Sequence, residues 1–355
     1  MHRFLAPLLW LALAGTVSAQ GNVLLVVLDD VGVDRVAVYE AVDDPPATPV
    51  MDRLAREGVR FDRCWSNPLC SPTRATVITG RYSFRTGVGS LLGELDEGLS
   101  TEEWTLPRVL RAATEGTTVT AAIGKWHLGA SDEDLEHPRR AGFEHYAGCL
   151  NNLRNREDPR AYYQWTKVVD GEASEVEGYL TTDTTDDALR AIAAAGERPW
   201  FVYLAYHAAH NPLHEPPAGL FERELEGTAL THPAELHKAM VEALDHELGR
   251  LLEGVDPKVL ARTTILVVGD NGTQGSANEP PWDNRRGKGT LFEGGIHVPL
   301  IVSGAGVGER ARGSVCDAPV NTTDLWATTL ELCGVDVEAT LPAGWVHDSV
   351  SILPF

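Results

Sequence analysis

Basic residues are scarce in this chain, which has 30 Lys and Arg against 51 Asp and Glu among its 355 residues. The net charge of −21 and the lack of a basic stripe argue against nucleic acid as a partner. We interpret the acidic excess as a highly solvated surface. The hydrophobic fraction of 43% is that of a globular protein, and the length allows one large domain or two small ones.

Long apolar runs are also lacking, apart from one at the N-terminus. His2 and Arg3 precede an apolar run over 5–14, which is too short to span a bilayer, and small residues at 17–19 suit a cleavage site. This pattern predicts a signal peptide over 1–19, a mature domain over 20–355, and a secreted or periplasmic protein. No Cys follows the cleavage site, so we expect no lipid or other membrane anchor.

Cysteines number only five. Export permits disulfides, and with Cys70 set aside the other four allow three pairings. The pairing that we favour joins Cys316 to Cys333, and the alternative is that these residues are buried free thiols. The remaining two are Cys64 and Cys149.

Buried strands alternate with helices along the chain, which is typical of a layered α/β fold. Apolar β-branched runs predict strands, and capped or amphipathic segments predict helices. Residues 151–177 are polar and predict an irregular surface excursion near the functional site. The predicted strands are 23–28, 117–123, 200–206, 263–268 and 298–302. The predicted helices are 48–58, 72–80, 106–113, 183–195, 234–252 and 323–332.

Polar side chains follow several of these predicted strands. Because open α/β sheets bind ligands at the carboxyl ends of their strands, we expect these side chains to converge. The oxygen ligands among them suit a hard cation, Ca²⁺ or Mg²⁺, rather than zinc. An Asp-Asp pair can instead form a turn or a helix cap, but the matching Gly-Asp-Asn-Gly run at 269–272 favours a metal site. The residues concerned are Asp29, Asp30, His127, His210, Asp270 and Asn271.

The most informative motif is Cys70-Ser71-Pro72-Thr73-Arg74-Ala75, followed by Thr79-Gly80-Arg81. A Cys-x-Pro-x-Arg run at the start of a helix resembles the signature of the type I sulfatases. Segments 48–61, 142–144, 286–295 and 348–354 resemble the same family in the same order. The resemblance implies an alkaline-phosphatase-like three-layer α/β/α sandwich around a large mixed, mostly parallel sheet.

The resemblance also implies the chemistry of Cys70. In that family a formylglycine-generating or anaerobic sulfatase-maturing enzyme oxidises the Cys to formylglycine, and the aldehyde hydrate attacks the sulfur of a sulfate ester. The oxygen of this residue completes the shell of a Ca²⁺ ion, with Mg²⁺ as the alternative. The implied metal ligands here are Asp29, Asp30, Cys70, Asp270 and Asn271.

Cationic and imidazole side chains complete the predicted site. Arg74 lies one helical turn after Cys70, where it can brace the nucleophile or the metal-site carboxylates. Lys125 and Lys288 are point charges suited to sulfate oxygens. By resemblance, His127 is the base that acts on the sulfated hydrate, and His210 is the acid that protonates the leaving alcohol with help from Lys288. The flanking residues His207 and His214 are candidates for facing the substrate.

The sequence departs from the family pattern at two points. His297 stands where many relatives carry Arg, and the chain ends at Phe355, where relatives continue into a small C-terminal subdomain, so we expect a fragment or a minimal form.

The first functional hypothesis is an exported sulfatase acting on aryl or carbohydrate esters. The alternatives are a phosphonate or phosphodiester hydrolase of the same superfamily and a non-catalytic binder of sulfated glycans. Selectivity is expected from loops 151–177 and 278–284, with Tyr162, Tyr163, Trp165 and Trp282 as candidates for stacking on a ring.

Overall fold

The computed structural model describes residues 21–93, 96–153 and 158–353. The predicted signal peptide lies outside these ranges, as do part of the 151–177 segment and the last two residues of the chain. Within the described ranges, no helix is both long enough and apolar enough to cross a membrane.

A sheet of ten strands forms the centre of the molecule, in the order β11-β2-β10-β9-β1-β8-β4-β5-β6-β7. The five strands from β9 to β5 run parallel, whereas β10 and β6 on either side of them are antiparallel to their neighbours. The sheet is therefore mixed, and its centre is parallel, as predicted. The strands of this sheet are β1 (Asn22–Leu28), β2 (Val59–Phe61), β4 (Val119–Lys125), β5 (His145–Cys149), β6 (Gln164–Val169), β7 (Glu172–Glu177), β8 (Trp200–Ala205), β9 (Thr263–Gly269), β10 (Leu300–Gly304) and β11 (Ser314–Cys316). A separate two-stranded sheet consists of β3 (Cys64–Trp65) and β12 (Val320–Asn321).

Helices cover both faces of this sheet, and each predicted helix is present within a few residues of its expected bounds. Asn321 caps the short turn that leads into the last predicted helix, which accounts for its later start. The helices are α1 (Pro49–Glu57), α2 (Cys70–Thr79), α3 (Ser83–Thr86), α4 (Leu106–Ala113), α5 (His137–Arg140), α6 (Leu180–Ala195), α7 (Pro233–Gly254), α8 (Pro257–Leu260), α9 (Glu293–Ile296), α10 (Leu325–Leu332) and α11 (Val337–Thr340).

Strand β1 shows why the fold has three layers. Its residues Leu24, Val26 and Leu28 are buried in one apolar cluster with side chains from α1, α6 and α7. The alternate residues of the same strand are buried in a second cluster, with side chains from α2, α4 and α10. Because successive side chains of a strand point to opposite faces, the two clusters lie on opposite sides of the sheet. The predicted α/β/α sandwich is confirmed.

Two local predictions are wrong. Residues 164–177 form the hairpin β6–β7 rather than an irregular excursion, and β7 extends the sheet at its edge. Its side chains are almost all exposed, so this edge strand has the polar composition of a loop. The second wrong prediction is the disulfide, since Cys316 and Cys333 are both free thiols. Cys316 lies on the edge strand β11, whereas Cys333 is buried directly after α10.

Candidate active site

A local change in the backbone places both carboxylates that follow β1 beside the Cys70 thiol. Successive side chains of a strand alternate between faces. Asp30 interrupts this alternation because its φ of 61° lies in the left-handed region, and both Asp29 and Asp30 approach the Cys70 thiol. Strand β9 runs parallel beside β1 and pairs Gly269 with Leu28, so Asp270 follows at the same edge.

Cys70 is the first residue of α2 and is fully buried. Its Sγ donates a hydrogen bond to Oδ1 of Asp29 at 3.3 Å, and Nζ of Lys288 lies 3.3 Å from the same sulfur. Burial, together with the negative charges of Asp270 and Asp29, raises the pKa of the Cys70 thiol well above its usual value. The thiol is therefore protonated at neutral pH.

Arg74, one turn further along α2, ties three of the strand ends together. Its Nη2 lies 2.8 Å from Oδ2 of Asp270 and 3.6 Å from Oδ2 of Asp29. Its Nη1 donates to the backbone oxygen of Lys125, the last residue of β4, at 2.9 Å. The helical spacing of Cys70 and Arg74 thus places a sulfur and a guanidinium on the same group of carboxylates.

Two lysines balance the remaining charge. Lys125 pairs with Asp29, and Lys288 pairs with Asp30. Although burial opposes ionisation of Asp29, the charges of Lys125, Arg74 and Lys288 lower its pKa well below the usual value. Burial raises the pKa of Asp30, and burial together with the charge of Asp29 raises the pKa of Asp270 to about 6.

The donor set fits a hard divalent cation. Ligand atoms of Asp29, Asp30, Cys70 and His210 all lie within 4.8 Å of one another. Beside them, Asn271 donates its amide N–H groups to Asp30 and to Gly272, which turns its Oδ1 away from both of them. This buried oxygen has no hydrogen-bond partner among the described residues, as expected for an atom that coordinates a cation. Asp270 is not in the four-residue cluster, since Arg74 and the Asp30 amide engage its oxygens.

His127 and His210 reach the site from the ends of β4 and β8. His127 has a φ of 57°, and its backbone N–H donates to the Leu150 oxygen at 2.7 Å. The Nδ1–H of His210 donates to the Asn211 oxygen at 2.9 Å, which leaves Nε2 as the ring atom that can exchange a proton in the site. Burial and the charge of Lys125 lower the pKa of both rings, so both are neutral in the free site.

The other two histidines of this loop have different surroundings. The Nε2–H of His207 donates to the Asn151 oxygen at 3.2 Å, and the ring is buried. His214 is also buried, and its ring lies 4.1 Å from that of Tyr162. Tyr162 is itself completely buried, so the predicted stacking of this ring on a substrate is wrong.

The contacts that two residues make beside the site were not predicted from the sequence. His237 of α7 donates its Nε2–H to the backbone oxygen of Asp30 at 3.1 Å and is fully buried. The hydroxyl of Tyr162 lies within 2.9 Å of the His207 oxygen and 2.7 Å of the His210 oxygen. For His237, the only signal in the sequence was a polar ring on the buried face of an amphipathic helix. No sequence signal indicated the contacts of Tyr162.

A cavity of about 380 Å³ lies at the carboxyl end of β5, the strand next to β4. Strands β4 and β5 pair Lys125 with Cys149, and Cys149 lines the cavity. Its other lining residues are polar and apolar in similar numbers, and the polar ones offer both donors and acceptors of hydrogen bonds. Among them are Asn151, Asn152, Arg160, Gln164 and Glu175.

Comparison with known proteins adds to this geometry. The family model named Sulfatase matches residues 21–335. N-acetylgalactosamine-6-sulfatase of Canis lupus familiaris is 30% identical over 370 residues, which cover 94% of this chain and 65% of that protein. Arylsulfatase J of Mus musculus is 27% identical over 373 residues, covering 96% of this chain and 59% of that protein. The chain thus spans less than two thirds of the length of either protein.

A solved structure is similar over most of the chain. The crystal structure of Ps i-CgsB in complex with k-i-k-neocarrahexaose superposes with a TM-score of 0.77 at 27% sequence identity. The match covers 90% of this chain and 73% of that one.

Proposed function

The chain belongs to the sulfatase family, and from this premise we propose that it is an exported hydrolase of the sulfate esters of carbohydrates. The observation that carries the proposal is the position of Cys70, which begins a helix and lies between Asp29 and Lys288. The site around it has three carboxylates, three cationic groups and two neutral imidazoles, most of which come from the ends of parallel strands or from the segments that follow them.

The state of the Cys70 thiol supports conversion of this residue before catalysis. A buried thiol with a raised pKa is a poor nucleophile, because the thiolate is the reactive form. We infer that a maturation enzyme oxidises Cys70 to formylglycine. One hydroxyl of the hydrated aldehyde attacks sulfur and displaces the alcohol. Loss of the proton of the second hydroxyl then re-forms the carbonyl and expels sulfate.

The oxygen atoms around residue 70 support a bound Ca²⁺ ion. Asp29, Asp30 and Asn271 would hold it, with Asp270 and residue 70 alongside. A dication there offsets the three carboxylates and attracts an anionic ester. Lys125 and Lys288, which now pair with Asp29 and Asp30, would bind sulfate oxygens. The pocket thus gains net positive charge when the metal is present.

Proton transfer falls to the two histidines. Nε2 of His210 is the ring atom that can carry a proton to the leaving alcohol oxygen, since Nδ1–H is held by the Asn211 carbonyl. The negative charge of a bound ester favours protonation of this ring, and Lys288 lies near enough to assist. His127 is neutral in the free site and is assigned the role of base.

Two observations support a carbohydrate ester as substrate. The relatives include N-acetylgalactosamine-6-sulfatases, and the similar Ps i-CgsB structure contains a neocarrahexaose. The cavity lined by Cys149 has the mixed donors and acceptors that a sugar ring with several hydroxyls requires.

The test compares the wild-type protein with Cys70→Ala, both co-produced with a maturation enzyme. We expect the wild type to release sulfate from an aryl sulfate and from sulfated polysaccharides, and Cys70→Ala to be inactive. Cys333→Ala, which removes another buried thiol, should retain activity. The mass of the peptide that contains residue 70 should be that of an aldehyde. Equal activity of Cys70→Ala and the wild type, or faster hydrolysis of a matched phosphonate ester, would refute the proposal.

A further inference from the structure

We propose that Tyr162 is a positioning residue, which holds His210 in place for proton transfer to the leaving alcohol. This inference rests on the sulfatase function proposed above. The hydroxyl of Tyr162 lies 2.9 Å from the backbone oxygen of His207 and 2.7 Å from that of His210. A phenol has one proton to donate, so the two carbonyls share it.

The turn that carries His210 has few other supports. The His210 N–H donates to the His207 oxygen at 2.8 Å and closes the turn. The Asp29 amide donates to the Ala208 oxygen at 3.2 Å, and the Ala209 amide donates to the Asp29 oxygen at 2.7 Å. These bonds join the first half of the turn to the end of β1. Among the described residues, the Tyr162 hydroxyl is the side-chain donor that hydrogen-bonds to both ends of the turn.

Tyr162 is itself held rigidly, which it must be to position another group. Its side chain is completely buried, and its ring packs on those of His214 and Tyr179 at 4.1 and 6.3 Å between centroids. It ends a short helical turn, Pro159–Tyr162, whose first residues are capped by the Asp158 side chain. A rigid donor fixes the two carbonyls, and through them the backbone from which the His210 ring projects.

Loss of this donor should affect substrates unequally. Removing it takes the Tyr162 hydrogen bond from the His210 oxygen and leaves the His207 oxygen with the His210 amide alone, so the turn relaxes and Nε2 of His210 moves. A leaving alcohol of high pKa requires a proton as its bond to sulfur breaks, whereas an activated phenol leaves as an anion. Displacement of His210 must therefore slow the hydrolysis of a sugar sulfate far more than that of a nitrophenyl sulfate.

The experiment compares Tyr162→Phe with Tyr39→Phe. Tyr39 is the matched control because its hydroxyl also lies between two backbone oxygens, those of Leu300 at 2.9 Å and Phe61 at 3.3 Å, away from the His210 turn. For Tyr162→Phe we expect kcat/KM on a sugar sulfate to fall about 10- to 100-fold and on 4-nitrophenyl sulfate by less than about threefold. Tyr39→Phe should leave both values near those of the wild type. An equal loss on both substrates, or no loss on either, would overturn the proposal.

A double variant and an exchange measurement separate positioning from general damage. If Tyr162 acts through His210, adding Tyr162→Phe to His210→Ala should lower activity on the sugar sulfate no further. Amide hydrogen exchange at 207–210 should be faster in Tyr162→Phe than in Tyr39→Phe. Unchanged exchange would refute the Tyr162 proposal while leaving the sulfatase function intact. A wild type inactive on every sulfate ester would instead refute the function itself.

Discussion

Arg74 donates two hydrogen bonds to a single oxygen of Asp270, from Nε at 3.0 Å and from Nη2 at 2.8 Å. Both side chains are inaccessible to solvent, and Arg74 also donates to the Lys125 backbone. The guanidinium therefore fixes the start of α2 relative to the ends of β4 and β9. The geometry of the candidate site depends on this pair.

We expect Arg74→Ala to destabilise the protein by about 3–5 kcal/mol, because it leaves the buried charge of Asp270 without its partner. Arg74→Lys keeps a positive charge but loses the fork of two N–H donors, so it should also destabilise the fold and lower kcat. Urea denaturation of each variant, followed by circular dichroism, measures the free energy of unfolding.

An exposed ion pair provides the control for this experiment. Arg85 pairs with Asp348 at 2.9 Å, and the Arg85 side chain is 33% exposed. Arg85→Ala should lower the free energy of unfolding by less than about 1 kcal/mol. If Arg74→Ala proves as mild as Arg85→Ala, the buried pair does not hold the site together.

Calcium should raise the midpoint of thermal unfolding, because a ligand that binds only the folded state stabilises it. At a concentration of 100 times Kd, the gain is about 2.7 kcal/mol. Asn271→Ala removes the unpartnered oxygen and Asp30→Asn removes a carboxylate, so each should reduce or abolish the shift. Asp43→Asn changes an exposed carboxylate and should leave it unchanged. A shift retained in full by both site variants would place the metal elsewhere.

The sequence was sufficient to predict the strands that end at the site and the helix that begins at Cys70. Long apolar β-branched runs such as β1 and β9 can only be buried, and in a parallel sheet their carboxyl ends share one edge. The convergence of Asp29 with Asp270 follows from that topology. Strand β4 extends to Lys125, beyond the predicted end at 123, which puts this lysine at the edge as well.

Features that depend on tertiary contacts could not be predicted in this way. The hairpin β6–β7 has an exposed outer strand, half of whose residues are acidic, and this strand resembles a loop in composition. Tyr162 acquires its role only because a segment 45 residues before His207 packs against that turn. Likewise, no sequence pattern defines the distance between two cysteines, so the predicted pairing of Cys316 with Cys333 was one choice among several.

His214 should make the protein less stable in acid. Burial lowers the pKa of this imidazole from about 6.5 to about 4. Its neutral form is fully satisfied, since Nδ1–H donates to the Pro212 oxygen at 2.9 Å and Nε2 accepts from the Tyr179 hydroxyl at 3.2 Å. A depressed pKa contributes stability that is complete above pH 6.5 and is lost as the pH falls towards 4.

The size of this effect follows from comparison with His214→Phe, which keeps a ring against Tyr162 but does not titrate. The difference in unfolding free energy between wild type and variant should change by about 2 kcal/mol from pH 6.5 to pH 5, in the direction of a weaker wild type. The other titratable groups are common to both proteins, so their contributions to this difference cancel. Replacement of the exposed His246 by Gln should leave the pH profile unaltered. A parallel pair of profiles for wild type and His214→Phe would contradict the assignment.

Lys238 fastens the loop that delivers Lys288. Its buried Nζ lies 2.8 Å from Asp44, 3.1 Å from Glu235 and 3.0 Å from Glu279, which belongs to the loop. Lys238→Met leaves three neighbouring carboxylates without this cation, and Glu279→Gln weakens the same contact from the loop side. Since small displacements of a catalytic group have large effects, we expect kcat/KM for sulfate esters to fall about 10- to 100-fold in Lys238→Met.

The loss in Lys238→Met should be accompanied by a moderate loss of stability, about 1–3 kcal/mol, because the three carboxylates are partly exposed and regain water. Glu279→Gln should have a smaller effect of the same kind on both measurements. Lys258→Met, at an exposed position of α8, should change unfolding free energy by less than about 0.5 kcal/mol and leave activity intact. If Lys238→Met loses stability without losing kcat/KM, the network stabilises the fold but does not position Lys288.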